Sequence, residues 1–186
     1  QEIFGGEQFA ATMHTDYYRL SVTTDVTGDE ASAALKNFFA IGVSAMQKRY
    51  PDHKREDGQS RNPTAAAFVQ ANQEMARLCE RLGGNAATAF GLAGLGDLHV
   101  TVGGGRNSRL GHGLGAGRTV LDILSSDLSG ETVEGVDTAR VLATMALENP
   151  STNGEEASYF PLASAIMDAV LRQKPFSLDF SRLVVG

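Results

Sequence analysis

Asp97, Thr101, Arg106 and Asn107 fall within Gly91-Leu-Ala-Gly-Leu-Gly-Asp-Leu-His-Val-Thr-Val-Gly-Gly-Gly-Arg-Asn107. That stretch sets an acid, a hydroxyl and an arginine–asparagine pair at fixed offsets in a backbone nearly free of bulk. Twelve of the chain's twenty-one glycines lie between Gly83 and Gly117. Glycine adopts positive φ at little cost and lets a ligand approach the main chain. An arginine fork matches phosphate oxygens in a bidentate way. These residue types suit a small molecule that carries a phosphate and hydroxyls. Composition alone favours a flexible surface loop with a solvated arginine, and the order of the residues has to outweigh it.

Two further residues belong to the same question. Lys36 lies in the middle of an apolar helical pattern, with Ser32, Ala33 and Ala40 beside it at i−4, i−3 and i+4. A lysine in a partly dry pocket is able to exchange a proton with a reacting oxygen, whereas a mid-helix lysine ordinarily extends its stem to solvent. The solvent-reaching reading is the commoner one for a lone lysine, though this helix has no obvious polar face for it to leave by. Glu134 precedes a helix, where a carboxylate favours the positive end of the dipole or accepts hydrogen bonds from a sugar or amide.

The elements that must position these groups are mostly helical. Tyr17 to Thr24 alternates β-branched and aromatic types and reads as a strand; one strand cannot stand alone, so its partner sheet is expected outside the chain. A helix follows from Asp25, with Thr27 as its expected cap, and runs through Met46. Its apolar residues surround nearly the whole axis, which places it at the centre of the domain. Gln47 to Asn62 reads as a polar loop. Asn62-Pro63 opens a helix to about Leu82, with proline in the first turn where it is tolerated. Helices are also expected over 119–128, 135–147 and 161–173, a break over 148–158, and a last short helix over 178–185.

Composition bounds the function classes. The 186 residues fit one domain with a proper core. A net charge of −6 argues against a nucleic-acid surface. No apolar run approaches the ~18 residues that span a bilayer. Cys79 is the single cysteine, which fits a reducing, cytoplasmic setting. His14, His53, His99 and His112 show no paired ligand spacing, so no metal site is expected. The glycine runs at Gly91 (GxxGxG) and Gly111 lack the strand–loop–helix context of a dinucleotide fingerprint. The chain opens on Gln1 rather than Met, and an upstream domain is expected.

The ordered set Ala33-Ala-Leu-Lys-Asn37, Gly91-Leu-Ala-Gly-Leu-Gly-Asp-Leu98, Gly105-Arg-Asn107 and Val133-Glu-Gly135 resembles the C-terminal, substrate-binding domain of NAD(P)-dependent glycerol-3-phosphate dehydrogenases. The resemblance spans nearly the whole chain. It implies a mainly α, multi-helix domain of the 6-phosphogluconate dehydrogenase C-terminal-like type, with one N-terminal strand left from an absent Rossmann domain. Residues 1–24 would then be the end of the cofactor domain, and 25–186 the helical substrate-binding and catalytic domain.

The resemblance also implies roles. Lys36 corresponds to the catalytic lysine and Asp97 to the aspartate beside it. Asn37, Thr101, Gly105, Arg106 and Asn107 correspond to substrate-binding positions, and Arg106, Thr132 and Glu134 to positions facing NAD or NADP. The implied reaction interconverts dihydroxyacetone phosphate and sn-glycerol 3-phosphate, feeding glycerophospholipid synthesis, in a homodimer, with the isolated domain inactive. Three departures from the family pattern stand out: the polar stretch Gln47–Arg61 replaces a short glycine-rich turn, Gln70 stands where an arginine is common, and Gly105 stands where a serine is common. Another hydroxyacid or 6-phosphogluconate-type dehydrogenase, or a non-catalytic helical binding module, are the alternative readings.

Overall fold

The computed structural model describes residues 4–148 and 160–183. Nine α-helices are present among them: α1 (Phe4–Met13), α2 (Val26–Arg49), α3 (Asn62–Arg81), α4 (Ala86–Ala89), α5 (Asp97–Val102), α6 (Arg106–Gly115), α7 (Val120–Ser125), α8 (Glu134–Glu148) and α9 (Pro161–Arg172). A π-helical turn, Leu92–Gly96, joins α4 to α5, and a 3₁₀ turn covers Phe180–Arg182.

Helix α2 is the axis of the domain, as its all-round apolar pattern predicts. Leu35, Phe38, Phe39, Ile41, Val43 and Met46 are buried on it, facing in several directions. Helices α3, α5, α6, α8 and α9 and the π turn all pack on it. The closest neighbour is α6. A Cβ at Gly111 would lie 2.3 Å from the Ile41 carbonyl oxygen, and one at Gly115 would lie 2.1 Å from that of Ala45. The two backbones therefore meet with no side chain between them, at a spacing that any larger residue prevents.

Helix α9 is held from another element. Pro161 occupies its first turn, and no side chain local to α9 caps it. Glu74 of α3 supplies the cap: its two carboxylate oxygens accept the Leu162 and Ala163 N–H groups, each at 2.8 Å. Gln70, one turn back, donates to the same carboxylate at 2.8 Å. Burial pushes the Glu74 carboxyl up to about 7, against the pull of these donors and of Arg77. Orphan N–H groups at a helix start need such partners.

Several sequence expectations change. Tyr17 to Thr24 is not a strand, and no strand occurs among the described residues. The segment runs exposed, with Tyr17 94% accessible. Its β-branched and aromatic types carry propensity only, and a ladder needs a second strand. Helix α1 lies just before it, where no helix was expected. The cap of α2 is Asp25, which accepts the Gly28 N–H, rather than Thr27. The helix also runs three residues past Met46, so the polar loop starts at Tyr50. Instead of a loop, most of the glycine-rich stretch is helical, as α4, the π turn, α5 and α6. Its glycines serve close helix contacts, which local propensity does not register. The final element is the 3₁₀ turn rather than a helix over 178–185, and the end of that range lies outside the described residues. So does nearly all of the break expected over 148–158.

Candidate functional site

Four elements bring the singled-out residues together around one stretch of α2. The first group is Lys36 and Asp97. The π turn swings the chain so that α5 begins at Asp97, and the Lys36 Nζ donates to Asp97 Oδ2. Lys36 is only 17% accessible in its side chain and Asp97 42%. The lysine therefore does not extend freely to solvent; it meets a carboxylate that is itself open on one side. π turns of this kind occur frequently at functional positions. Thr101, one turn along α5, donates its hydroxyl to the Asp97 carbonyl at 2.7 Å.

The second group starts at the next residue of α2. Asn37 Oδ1 accepts from Asn107 Nδ2 at 3.1 Å. Asn107 Oδ1 accepts the Gly135 N–H at 2.9 Å, and its Nδ2 also reaches Glu134 Oε2 at 3.5 Å. Arg106 donates from Nη2 to Glu134 Oε1. Asn107 is 5% exposed, so its amide ties α2, α6 and α8 from within. Arg106 and Glu134 are roughly half open. Gly135 has no room for a side chain: a Cβ there would lie 2.6 Å from the Asn37 carbonyl oxygen.

The start of α6 adds a feature that motif reading did not anticipate. Gly105 sits at φ +94°, the left-handed region that favours glycine, and α6 has no side-chain cap. The backbone N–H groups of its first turn have no partner within the helix. An uncapped helix start next to a guanidinium is a ready anion site. Thr132 is exposed, two residues before Glu134.

Two of the departures lie elsewhere. Gln70 is buried against Glu74 in the α3–α9 contact. The polar stretch, which as Tyr50–Arg61 leaves the far end of α2, is not beside Lys36. Arg49 is thirteen residues beyond Lys36, about 20 Å along the axis. Ser60 closes the loop back onto that same end, through Met46 and Gln47 carbonyls. Gly135 is a contributor that motif reading did not assign a role, though the tight Val133-Glu-Gly135 motif held the signal for it. Among the described residues, no group of three or more His, Cys, Asp or Glu could hold a metal ion. No helix among them is long and apolar enough to cross a membrane.

Comparison with known proteins shows the family and the fold. Residues 25–178 match the family described as NAD-dependent glycerol-3-phosphate dehydrogenase C-terminus. A glycerol-3-phosphate dehydrogenase [NAD(P)+] of Lacticaseibacillus casei is 40% identical over 174 residues, covering 89% of this chain and 47% of that protein. An NADP(+)-dependent glycerol-3-phosphate dehydrogenase of Archaeoglobus fulgidus is 42% identical over 106 residues, 57% of this chain and 31% of its own length. The chain thus spans half or less of the length of these relatives. For the fold, the glycerol-3-phosphate dehydrogenase structure from Saccharomyces cerevisiae superposes with a TM-score of 0.75 at 24% identity, covering 92% of this chain and 46% of that one. The enzyme from Coxiella burnetii gives 0.68 at 23% identity, with 94% and 49% covered. The chain belongs to the family of NAD-dependent glycerol-3-phosphate dehydrogenase C-terminal domains.

Proposed function

We propose that this domain is the substrate-binding and catalytic half of an oxidoreductase that interconverts dihydroxyacetone phosphate and sn-glycerol 3-phosphate. The observation that carries the reading is the placement of Lys36 Nζ on Asp97 directly beside the Asn37–Asn107–Glu134–Arg106 group. Lys36 and Asn37 are consecutive residues of α2, so one helix carries the proton donor and a direct partner of the group that holds Arg106.

The roles follow from the chemistry. The substrate phosphate lies at the uncapped start of α6, against the Arg106 guanidinium. Asn37 and Thr101 line the space between that phosphate and Lys36. NAD(P)H, when bound, supplies the hydride that goes to C2. Negative charge then grows on the C2 oxygen, where the Lys36 ammonium stabilises it and gives up a proton. Asp97 orients the ammonium, and the neutral amine left after transfer takes its replacing proton from solvent, on the open side of Asp97. In the reverse direction Lys36 takes the hydroxyl proton from C2. Holding the phosphate fixes where C2 lies relative to Lys36, which is the main use of the clamp.

Toward a dinucleotide the chain offers an edge rather than a cradle. Arg106, Glu134 and Thr132 are exposed or half-exposed and would offer a guanidinium, a carboxylate and a hydroxyl to the nicotinamide ribose. The described residues hold no strand–glycine loop–helix unit for the pyrophosphate. The start of the family match at residue 25 supports the division in which residues 1–24 finish a cofactor domain and 25–186 form the substrate domain. The same reading has the enzyme using NAD or NADP in the cytoplasm as a homodimer, and leaves the isolated domain inactive.

The test is the full-length enzyme carrying Lys36→Met. Turnover is expected to fall by on the order of 10³-fold, with the fold and the phosphate affinity kept. Near-normal turnover in a folded variant sinks the assignment.

A further inference from the structure

Asp25 connects the helix that carries Lys36 to the segment that carries Asp97. Its Oδ1 accepts the Gly28 N–H at 3.0 Å, capping α2. Its Oδ2 accepts the Asn85 N–H at 2.9 Å and the Thr88 hydroxyl at 2.6 Å. Asn85 in turn caps α4 by accepting the Ala87 N–H at 2.9 Å. Three donors converge on one carboxylate, and they hold it below the usual range, the Thr88 hydroxyl contributing most. The corner is tight as well: a Cβ at Gly84 would lie 2.5 Å from the Gly28 Cα.

The path from this corner to the site is short and stiff on both sides. On one side α2 is continuous from Val26 to Lys36, about 15 Å of helix. On the other, only Phe90 and Gly91 separate α4 from the π turn, which is seated on it: a Cβ at Gly94 would lie 2.0 Å from the Ala89 carbonyl oxygen. The π turn ends where Asp97 begins α5. The substrate clamp is carried by other contacts. Arg106 and Asn107 ride on α6, which is seated through Gly111 and Gly115, and Glu134 rides on α8, seated through Gly135.

We propose that Asp25 is a positioning residue for the proton-transfer pair: through Thr88 and Asn85 it sets where the π turn lies, and so where Asp97 meets Lys36. The inference rests on Lys36 and Asp97 being that pair. It predicts that loosening the corner impairs proton transfer and leaves substrate binding intact.

The experiment uses the full-length enzyme with Thr88→Val, Thr88→Ser, Asp25→Asn and Lys36→Met, each assayed for kcat, for KM toward dihydroxyacetone phosphate, and for the pH dependence of kcat. Thr88→Val keeps the side-chain shape and removes only the hydroxyl donor. The expected result is a kcat lower by on the order of ten-fold, a KM within about two-fold, and a displaced pH profile in Thr88→Val and Asp25→Asn. Thr88→Ser, which keeps the donor, restores all three. Folded variants with wild-type kcat and pH profile, altered in melting temperature alone, overturn the proposal. A loss expressed equally in KM overturns it too. Should Asp25→Asn fail to fold, Thr88→Val decides. Wild-type turnover in Lys36→Met refutes the proton-transfer reading itself, whereas a dead Lys36→Met beside a normal Thr88→Val refutes only the brace.

Discussion

Asn107 and Gly135 are joined across two helices: the Asn107 side-chain oxygen accepts the Gly135 N–H at 2.9 Å. The same amide donates to Asn37 of α2. One buried side chain thus satisfies the start of α8 and registers α6 and α8 on the helix that bears Lys36. Buried polar groups that are fully partnered specify one arrangement, because any alternative leaves a donor or acceptor unmet.

Gly135→Ala therefore tests the register. The added methyl meets the Asn37 carbonyl at 2.6 Å, so α2 and α8 must move apart. A destabilisation of about 1–3 kcal/mol is expected, the range for overpacking a tight contact. Thermal unfolding measures it, and a melting point equal to wild type contradicts the close approach.

Gly115→Ala separates propensity from packing. In an exposed helix interior the change gains about 1 kcal/mol. Here the Cβ would fall 2.1 Å from the Ala45 carbonyl, a backbone atom that cannot step aside. Steric cost wins, and the variant is expected to lose stability in denaturant titration rather than gain it.

Arg106→Lys keeps the charge and removes the fork. A point charge cannot hold phosphate in two places at once. The expected outcome in the full-length enzyme is a KM for dihydroxyacetone phosphate raised by about ten-fold, with a smaller change in kcat. Steady-state kinetics with the phosphorylated substrate and with unphosphorylated dihydroxyacetone checks it, since the second lacks the group the fork holds. An equal effect on both substrates removes the phosphate role from Arg106.

Glu74 predicts a pH dependence of stability. Its folded value is about 7, above the ordinary 4.5 of the unfolded chain. Between these values the native state binds the extra proton, so stability falls as pH rises. The contribution is complete below 4.5, declines through the interval and is lost above about 7. Its size is on the order of 3 kcal/mol. Glu74→Gln mimics the protonated carboxyl, and melting curves from pH 4.5 to 8 are expected to lose this slope in that variant. A slope unchanged by the substitution shows that Glu74 is not its source.

Much of the domain was legible in residue order. The apolar residues around α2 announce a central helix, and Pro63 and Pro161 mark helix starts, because these signals arise within one or two turns of chain. The four spaced motifs brought Lys36, Asp97, Arg106, Asn107 and Glu134 forward as a set. Tertiary structure alone decided the rest. Tyr17–Thr24 carries strand propensity, but a strand is defined by its partner, and no strand pairs with it among the described residues. Asp25 displaced Thr27 as the cap because Asn85 and Thr88, some sixty residues on, add their donors to the same carboxylate. The glycine-rich stretch reads as loop from propensity, yet Gly94, Gly111 and Gly115 let backbones touch at distances no side chain permits, and packing outweighs the modest propensity cost. Glu74 capping α9 from α3, and the Asn107 amide joining three helices, depend on groups far apart in the chain. Local sequence determines which segments can form helices and which residue types are on hand; long-range hydrogen bonds and steric fit determine which of them meet.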